Sequence, residues 1–586
     1  MIPPGSPGRS RATVTGFVAG AAPGVVAGAV MVGINPWFHD RPVLYTVVFV
    51  LVPGLLLAGI GALWERLGTF SGLPFAGWVL GLLGATHALA VALPYPELSS
   101  VDVMVVGVDG ATFDQIEQMD LPAFEQLADE GSRAVLGSMV PTFSPLLWTT
   151  MASGKRPEDH GVQGFHVHAT DCRVPRFWDI AEAEGHSTGV YKWLVTYPPR
   201  ELDGFIVPAW LAKGPETYPE DLSFVKELEL ANRLKRQKVA QVRTTKELVW
   251  AGLSRGFRFG TLWEALSWTF AERTRRPDDD ERHYRLQLLR GWIDRDVFVY
   301  ATHRYQPELA TFTWYATDAL GHRFWRQHEP SAFNDVTDDE IARFGSAVTD
   351  AYEGADAVLA EMMASLSDEA TLLVVSDHGF QALSAASDKA FFAPLTERLR
   401  ARLTELVGPV DVSRLGIKLA VAATDDAVEM EALKAALDGL LDETGQPAFR
   451  WEEVPDAPRS LGLTLRDENV DEGRLAVGTI GGEPLSDYVK LTEAFSGEHT
   501  LDGVIYARGP GIPAGEVGER AHLLDVAPTV LALMGVPPAE DLEGDILWGP
   551  TDRGPASRDA LSDELEFAEG MEGVDEEALR ALGYIE

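Results

Sequence analysis

The sequence predicts an α/β fold with a mainly parallel sheet flanked by helices, preceded by an N-terminal bundle of membrane-spanning helices. Three observations carry this. Residues 1–100 hold almost no charge, short β-branched runs ending in polar residues begin at Val101, and those runs alternate with helical segments.

At the N-terminus, Ala12–Phe38, Pro42–Trp64 and Leu67–Pro96 lack formal charge. Each exceeds the roughly 20 residues that a helix needs to cross a bilayer. The Gly/Ala-rich run GFVAGAAPGVVAGAVMVG suits close helix packing in lipid, and Trp37, Trp64 and Tyr95 sit at stretch ends where aromatic rings favour the interface. The apolar part of the first stretch is too long for a cleaved leader, so residues 1–98 are expected to form about three spans. Arg9, Arg11 and Arg66 inside against Arg41 outside places everything after Glu97 on the outer face of a cell membrane.

The net charge of −39 is unevenly distributed. The first 100 residues carry four Arg against Asp40, Glu65 and Glu97, so residues 101–586 hold −40. Such a surface repels nucleic acid. With 38 Arg and only 11 Lys, the acidic balance reads as adaptation to high salt, which screens carboxylate repulsion. Cys172 is alone, so no internal disulfide forms.

In chain order, VDVMVVGVDG (101–110) reads as a buried parallel strand closed by Asp-Gly, and 111–131 as helix ending on Gly131. Further strands are expected at 308–318, 370–379 and 502–511. A helical insertion at 211–307 and a mixed insertion at 381–497 interrupt the catalytic domain, 99–586, and 554–577 resembles an acidic tail. Functional side chains belong at the carboxyl ends of parallel strands.

Those ends present metal-ligand residues: Asp109 in VVGVDG, Asp318 and His322 in TDALGH, Asp377 and His378 in VVSDHGF, and His499 in GEHTLDG. Carboxylate oxygens mixed with imidazole nitrogens suit Zn²⁺ or Mn²⁺ rather than Ca²⁺ or Mg²⁺. Six ligands exceed one tetrahedral site and suit two divalent metal ions, the arrangement used for phosphoryl chemistry. A metal-bound hydroxyl has a lowered pKa and can attack phosphorus. The segment 139–162 offers Thr142, Ser144, Thr149, Thr150 and Ser153, and chemistry alone leaves Ser144 and Thr142 both open. His160 reads as a loop brace, and Lys155, Arg156, Lys192 and Arg323 are the nearest basic side chains.

The order VDG, PTFSP…TMASGKRPEDHGV, TDALGH, SDHGF, GEH resembles the alkaline phosphatase superfamily, and within it the type I phosphodiesterase/nucleotide pyrophosphatase branch. That branch reads P-T-x-[ST] before the nucleophile's helix and T-G-x-x-P-x-x-H-G after it, which puts the nucleophile on Ser144. The resemblance implies that Asp318, His322 and His499 bind one ion, and Asp109, Asp377, His378 and Ser144 the other. It covers about 101–200, 308–380 and 497–586, including the closing segment 522–544. Leu147 stands where many nucleotide pyrophosphatases carry an Asn that holds a phosphate oxygen.

The expected activity is hydrolysis of a phosphate ester through a phospho-Ser144 intermediate. A membrane-linked phosphotransferase that passes the phosphoryl group to a lipid or glycan alcohol is the alternative enzyme. A receptor or scaffold that keeps the fold is the alternative without chemistry, and the six intact ligand residues argue against it.

Overall fold

The computed structural model describes residues 97–568 except 166, 232–233, 235–242, 334–335, 384–390, 395, 416–417, 426, 442–444, 454–458, 466–469, 472–473, 476–478, 481–482, 485–488, 493–495, 555–560 and 563–564. The three uncharged stretches expected to span a membrane lie outside the described residues, as does the end of the chain from 569. Among the described residues no helix is long and apolar enough to cross a membrane.

The strands that organise the site are β1 (Val103–Val108), β2 (Ser132–Gly137), β3 (Thr188–Tyr191), β4 (Gly204–Val207), β5 (Leu309–Trp314), β6 (Thr371–Val375), β7 (Gly379–Ala382), β8 (Gly497–Thr500) and β9 (Asp502–Arg508). The central sheet runs β2-β9-β6-β1-β5-β3-β4, with short strands Glu516–Val517 and Ala521–His522 on β2. Strands β6, β1, β5, β3 and β4 are mutually parallel, whereas β9 is antiparallel to β6 and β2. Strand β1 is buried throughout and sits mid-sheet, as its continuous apolar run requires.

Successive β1 side chains leave opposite faces. Met104, Val106 and Val108 join one core and Val103 and Val105 the other. Helices α1 (Pro122–Glu130), α7 (Asp279–Tyr305), α8 (Ala316–His328) and α9 (Ala347–Ser365) contribute to the first core. Helices α2 (Ser144–Ser153), α3 (Phe177–Ala183) and α10 (Val526–Leu533) contribute to the second. Each fully buried large side chain stabilises by about 1.5–3 kcal/mol, so the two layers fix the sheet edge firmly.

The helix expected over 111–131 is two helices, Phe113–Gln118 and α1. Pro122, at the start of α1, has no N–H to donate and disfavours helical backbone at Leu121. The region 211–307 holds α4 (Ser223–Glu229), α5 (Thr245–Ser254), α6 (Phe259–Thr274) and α7. The start of α5 is set by a capping box between Thr244 and Glu247. Within 381–497, a four-stranded antiparallel sheet of 410–415, 418–423, 449–453 and 460–465 joins helices 396–407 and 430–438 around a third core, with Leu399, Val421, Leu433 and Leu461 inside.

Candidate metal centre and nucleophile

Three neighbouring parallel strands deliver the carboxylates. Asp109 follows β1 directly, Asp377 and His378 follow β6, and Asp318 lies in the first turn of α8 just after β5. In TDALGH the chain has therefore already turned helical, and Asp318 and His322 are one helical turn apart on the same face. Asp318 makes no cap; the N-cap residue is Tyr315. Gly110, at φ 71°, makes the turn after Asp109, and a Cβ there would stand 3.3 Å from the Asp318 Cα.

His499 arrives differently from the expectation of a main-sheet strand end. It sits inside β8, which pairs antiparallel with β7 in a separate ribbon that sets His499 opposite Phe380. Its imidazole stacks on that of His378, with ring centroids 3.5 Å apart. The ribbon passes α8 closely: a Cβ on Gly497 would meet the Gly321 carbonyl at 2.4 Å.

All six expected ligands converge. Ligand atoms of Asp109, Asp377 and His378 lie within 4.8 Å of one another, as do those of Asp318, His378 and His499. His322 Nε2 is 2.8 Å from His499 Nε2 and 3.3 Å from Asp318 Oδ1. His378 stands between the two groups, with Nε2 3.4 Å from Asp109 Oδ1 and 3.9 Å from Asp318 Oδ1.

Hydrogen bonding fixes the tautomers. Nδ1 of His322 faces the Gly497 carbonyl at 3.2 Å, Nδ1 of His378 the Gly379 carbonyl at 3.0 Å, and Nδ1 of His499 the Thr142 carbonyl at 3.0 Å. A carbonyl only accepts, so each Nδ1 carries a proton and each ring turns its Nε2 edge inward. Asp109 Oδ1, both carboxylate oxygens of Asp377, and His378 Nε2 are buried without a hydrogen-bond partner. Four buried, unpartnered acceptor atoms brought together in this way are what cations satisfy, and backbone carbonyls orient the imidazoles as outer-shell partners do at metal sites. The residues present fit divalent ions.

The electrostatics agree. Burial, followed by the charges of Asp377 and Asp318, pushes the Asp109 carboxyl well above its usual range. Burial and then Asp318 push Asp377 up to about 8. Burial also acts to raise Asp318, but the His322 and His499 imidazoles outweigh it and hold that carboxyl far below the usual range. His378 is driven well down by burial and by His499, so it stays neutral.

Ser144 is fully buried as the first residue of α2, whereas Thr142 is half-buried on the preceding loop. Two contacts tie this segment to the acids: His499 Nδ1–H donates to the Thr142 carbonyl, and Trp148 Nε1–H, one turn into α2, donates to Asp109 Oδ2 at 3.3 Å. Leu147 is buried in the second core. His160 braces α2, as expected: its Nδ1 accepts from the Val162 N–H at 3.1 Å and its Nε2–H reaches Thr150 Oγ1 at 3.0 Å. Burial lowers its pKa to about 4.

The nearby basic residues pair with acids: Lys155 with Asp541, Arg156 with Glu543, Lys192 with Glu229, and Arg323 with Asp280. Sequence reasoning missed Trp148, Ser376 and Tyr315. Ser376 Oγ accepts from the Ala111 N–H and donates to the His378 carbonyl, clamping the turns after β1 and β6. Ser376 adjoins the DHG motif and carried a signal in that sense; Trp148 and Tyr315 carried none. Tyr315 donates to the Lys192 carbonyl at 2.6 Å, and its phenol feels Asp109 and Asp377 as well as Asp294 of α7. On the Asp294 side lies a cavity of about 610 Å³ between α6, α7 and the end of β5. Trp210, Leu228, Trp268, Leu286 and Ile293 give it apolar walls.

A buried carboxylate–imidazole centre at the carboxyl edge of a mainly parallel sheet, with a hydroxyl-bearing helix beside it, defines a class of metal-accepting α/β enzyme folds. The family model described as type I phosphodiesterase / nucleotide pyrophosphatase matches residues 103–461, more than half of the chain, and the protein belongs to that family. Six of the seven expected site residues fall inside the match, and His499 lies beyond it. No curated protein matches the chain. The family is consistent with the alkaline phosphatase superfamily, is typically metal-dependent, and supports an enzyme acting on phosphate esters.

Proposed function

We propose that the protein cleaves phosphate esters by covalent catalysis at Ser144, with two divalent ions, Zn²⁺ or Mn²⁺, held by the converging residues. Asp318, His322 and His499 would hold one ion, and Asp109, Asp377, His378 and Ser144 the other. The observation that carries this reading is the convergence of His378 Nε2, Asp109 Oδ1 and both Asp377 oxygens, all buried without a hydrogen-bond partner, beside the Asp318–His499 group. The ions, when bound, would lower the hydroxyl pKa of Ser144 and neutralise charge on the ester.

The chain's own residues supply the rest. The Ser144 hydroxyl gives its proton to solvent as its oxygen forms the new bond to phosphorus and the bond to the leaving oxygen breaks, and the departing alkoxide takes a proton from water. Water then attacks the phosphoserine, releasing phosphate or a phosphomonoester and restoring the hydroxyl. The start of α2 presents backbone N–H groups toward an anionic group. The cavity beyond Tyr315 offers apolar space for the ester's organic part. In a series of 4-nitrophenyl alkyl phosphates, kcat/KM is expected to rise about threefold or more per methylene over the first few carbons, from ~0.8 kcal/mol per buried CH₂.

Elemental analysis with activity tests the centre. About two ions per chain are expected, and Asp318→Ala and Asp377→Ala should each remove one. Full activity in a preparation holding one ion or none contradicts the proposal.

The uncharged stretches before residue 97 favour a membrane-anchored chain with residues 101–586 outside, and with them a phosphotransferase reading in which a lipid or glycan alcohol replaces water. Protease treatment of intact cells should cut residues 101–586, and cutting only at Met1 would reverse the orientation. Transfer product in alcohol-supplemented buffer would favour the second reading over hydrolysis.

A further inference from the structure

The cavity beyond Tyr315 is not uniformly apolar. Lys192 Nζ reaches Glu229 Oε2 of α4 at 2.5 Å and Asp294 Oδ1 of α7 at 3.5 Å, and Lys226 Nζ reaches the same Glu229 oxygen at 2.7 Å. Two cations face two anions, so the cluster is neutral as a whole. Lys192, Glu229 and Asp294 line the cavity, whereas Lys226 is fully buried.

The chain is strained where it delivers Lys192. That residue has φ 62° and Val195 φ 59°, left-handed backbone that residues with a side chain seldom adopt. Neighbours hold the turn in place: Lys192 N–H donates to the Val207 carbonyl at 2.7 Å, the Tyr315 hydroxyl to the Lys192 carbonyl at 2.6 Å, and Arg176 Nη1 to the Val195 carbonyl at 3.2 Å. Strain that is over-determined in this way concentrates at ligand sites, and here it sets an ammonium in a cavity wall.

The polar groups of that wall are not used up. An ammonium has three N–H donors, and a carboxylate accepts at both oxygens. Among the described residues Lys192 Nζ meets only these two acids, and Glu229 Oε1 and Asp294 Oδ2 accept no hydrogen bond. Gln287, two turns before Asp294 on the same face of α7, also lines the cavity. It is only 7% exposed, yet its amide makes no hydrogen bond among the described residues. Thr313 of β5 lines the cavity too, and its buried hydroxyl has no partner. Buried polar groups left open in this way are completed by what enters the cavity. Of the other cations along the lining, Arg282 turns to Asp279 and Glu272, Arg323 to Asp280, and Arg290 is exposed. Apolar walls that carry open donors and acceptors of balanced charge favour neutral hydroxyls on a carbon skeleton over an ammonium or a carboxylate.

We propose that the cavity takes the organic part of the ester as a polyol-type group, with hydroxyls bound by Lys192, Glu229 and Asp294 and by Gln287. The proposal rests on the phosphate-ester reading for the reaction but not for the binding.

Four phosphonic acids of equal length test it without turnover, because their P–C bond stays intact: hexyl, 6-aminohexyl, 5-carboxypentyl and 2,3,4,5,6-pentahydroxyhexyl. In calorimetric titrations of the full chain in detergent micelles, the pentahydroxyhexyl probe should bind about tenfold or more tighter than the two charged probes. Gln287→Leu should weaken that probe about fivefold, and Lys192→Met with Asp294→Leu, which leaves Lys226 facing Glu229, about tenfold or more. Hexyl binding should be unchanged or tighter in both variants. If these results hold while 4-nitrophenyl alkyl phosphates are not cleaved, the phosphate-ester reading fails and the polyol site stands. Tightest binding by the amino or the carboxy probe overturns the proposal. So does pentahydroxyhexyl binding that is absent or indifferent to Gln287→Leu.

Discussion

Replacing Asp377 with Asn is expected to stabilise the metal-free protein and to weaken the metal-loaded one. Both Asp377 oxygens are buried without a hydrogen-bond partner, and burial followed by the Asp318 charge raises its pKa from 3.8 to about 8. Between those values the folded chain keeps a proton that the unfolded chain has released, so folding stability falls as pH rises through the window. At about 1.4 kcal/mol per pH unit, the full loss by pH 8 is at most ~6 kcal/mol. The repulsion is shared with Asp109, and an Asn amide keeps some desolvation cost. The expected gain for Asp377→Asn at pH 8 in chelator is therefore about 2–4 kcal/mol, shrinking toward zero near pH 4. Thermal unfolding of both proteins in chelator at pH 5 and pH 8 measures it, and saturating Zn²⁺ should reverse the order, because ligand binding adds stability only where the site is whole. If the advantage of Asp377→Asn over chelated wild type does not grow between pH 5 and 8, or Asp377→Asn melts lower at pH 8 without metal, the repulsive cluster is not as described.

Three further outcomes follow from individual contacts. Trp148→Phe keeps the ring but deletes the N–H that orients Asp109, and should lower metal affinity about 10–100-fold, read by competition with a chromogenic chelator. Asp179 is buried beneath Arg176 and Arg200, and Asp179→Asn should cost about 3–5 kcal/mol in denaturant unfolding because it takes the carboxylate partner from buried Arg176, while Arg200 keeps Glu182. His160, held near pKa 4 by burial, contributes stability that is complete above about pH 6.5 and is lost as pH falls toward 4, up to ~3 kcal/mol. His160→Gln, able to accept from Val162 and donate to Thr150, should flatten that acid limb in a pH series of melting temperatures.

Much of the fold was legible because local pattern and tertiary role coincide. The continuous apolar run at 103–108 could only be a strand buried on both faces, and the Asp-Gly after it marked where the chain turns out of the sheet. The six residues expected as ligands were legible as short motifs in fixed order, and their side chains meet in space. What was not legible depends on partners far apart in sequence. Nothing in the local pattern of GEHTLDG tells a strand in a side ribbon from a strand in the main sheet, because pairing of β8 with β7 spans more than a hundred residues. The Trp148 bond to Asp109 and the position of Tyr315 between centre and cavity likewise arise only when α2, β1 and β5 pack together. The break at Pro122 was readable and was missed, since amphipathic spacing on both sides masked it.

Ser144 carries the proposed chemistry, and the covalent intermediate tests that role. Ser144 and Thr142 are two residues apart, but one begins α2 and is buried, and the other lends its carbonyl to His499 from the loop. Rapid quenching of the full chain with a slowly turned-over phosphate ester, followed by mass spectrometry, should find phosphate on Ser144 alone, within the segment Pro141–Lys155. Ser144→Ala should lose several orders of magnitude in kcat, Thr142→Ala should keep most of it, and Ser144→Thr should retain measurable turnover. Phosphate on Thr142, or undiminished turnover in Ser144→Ala, would contradict the account.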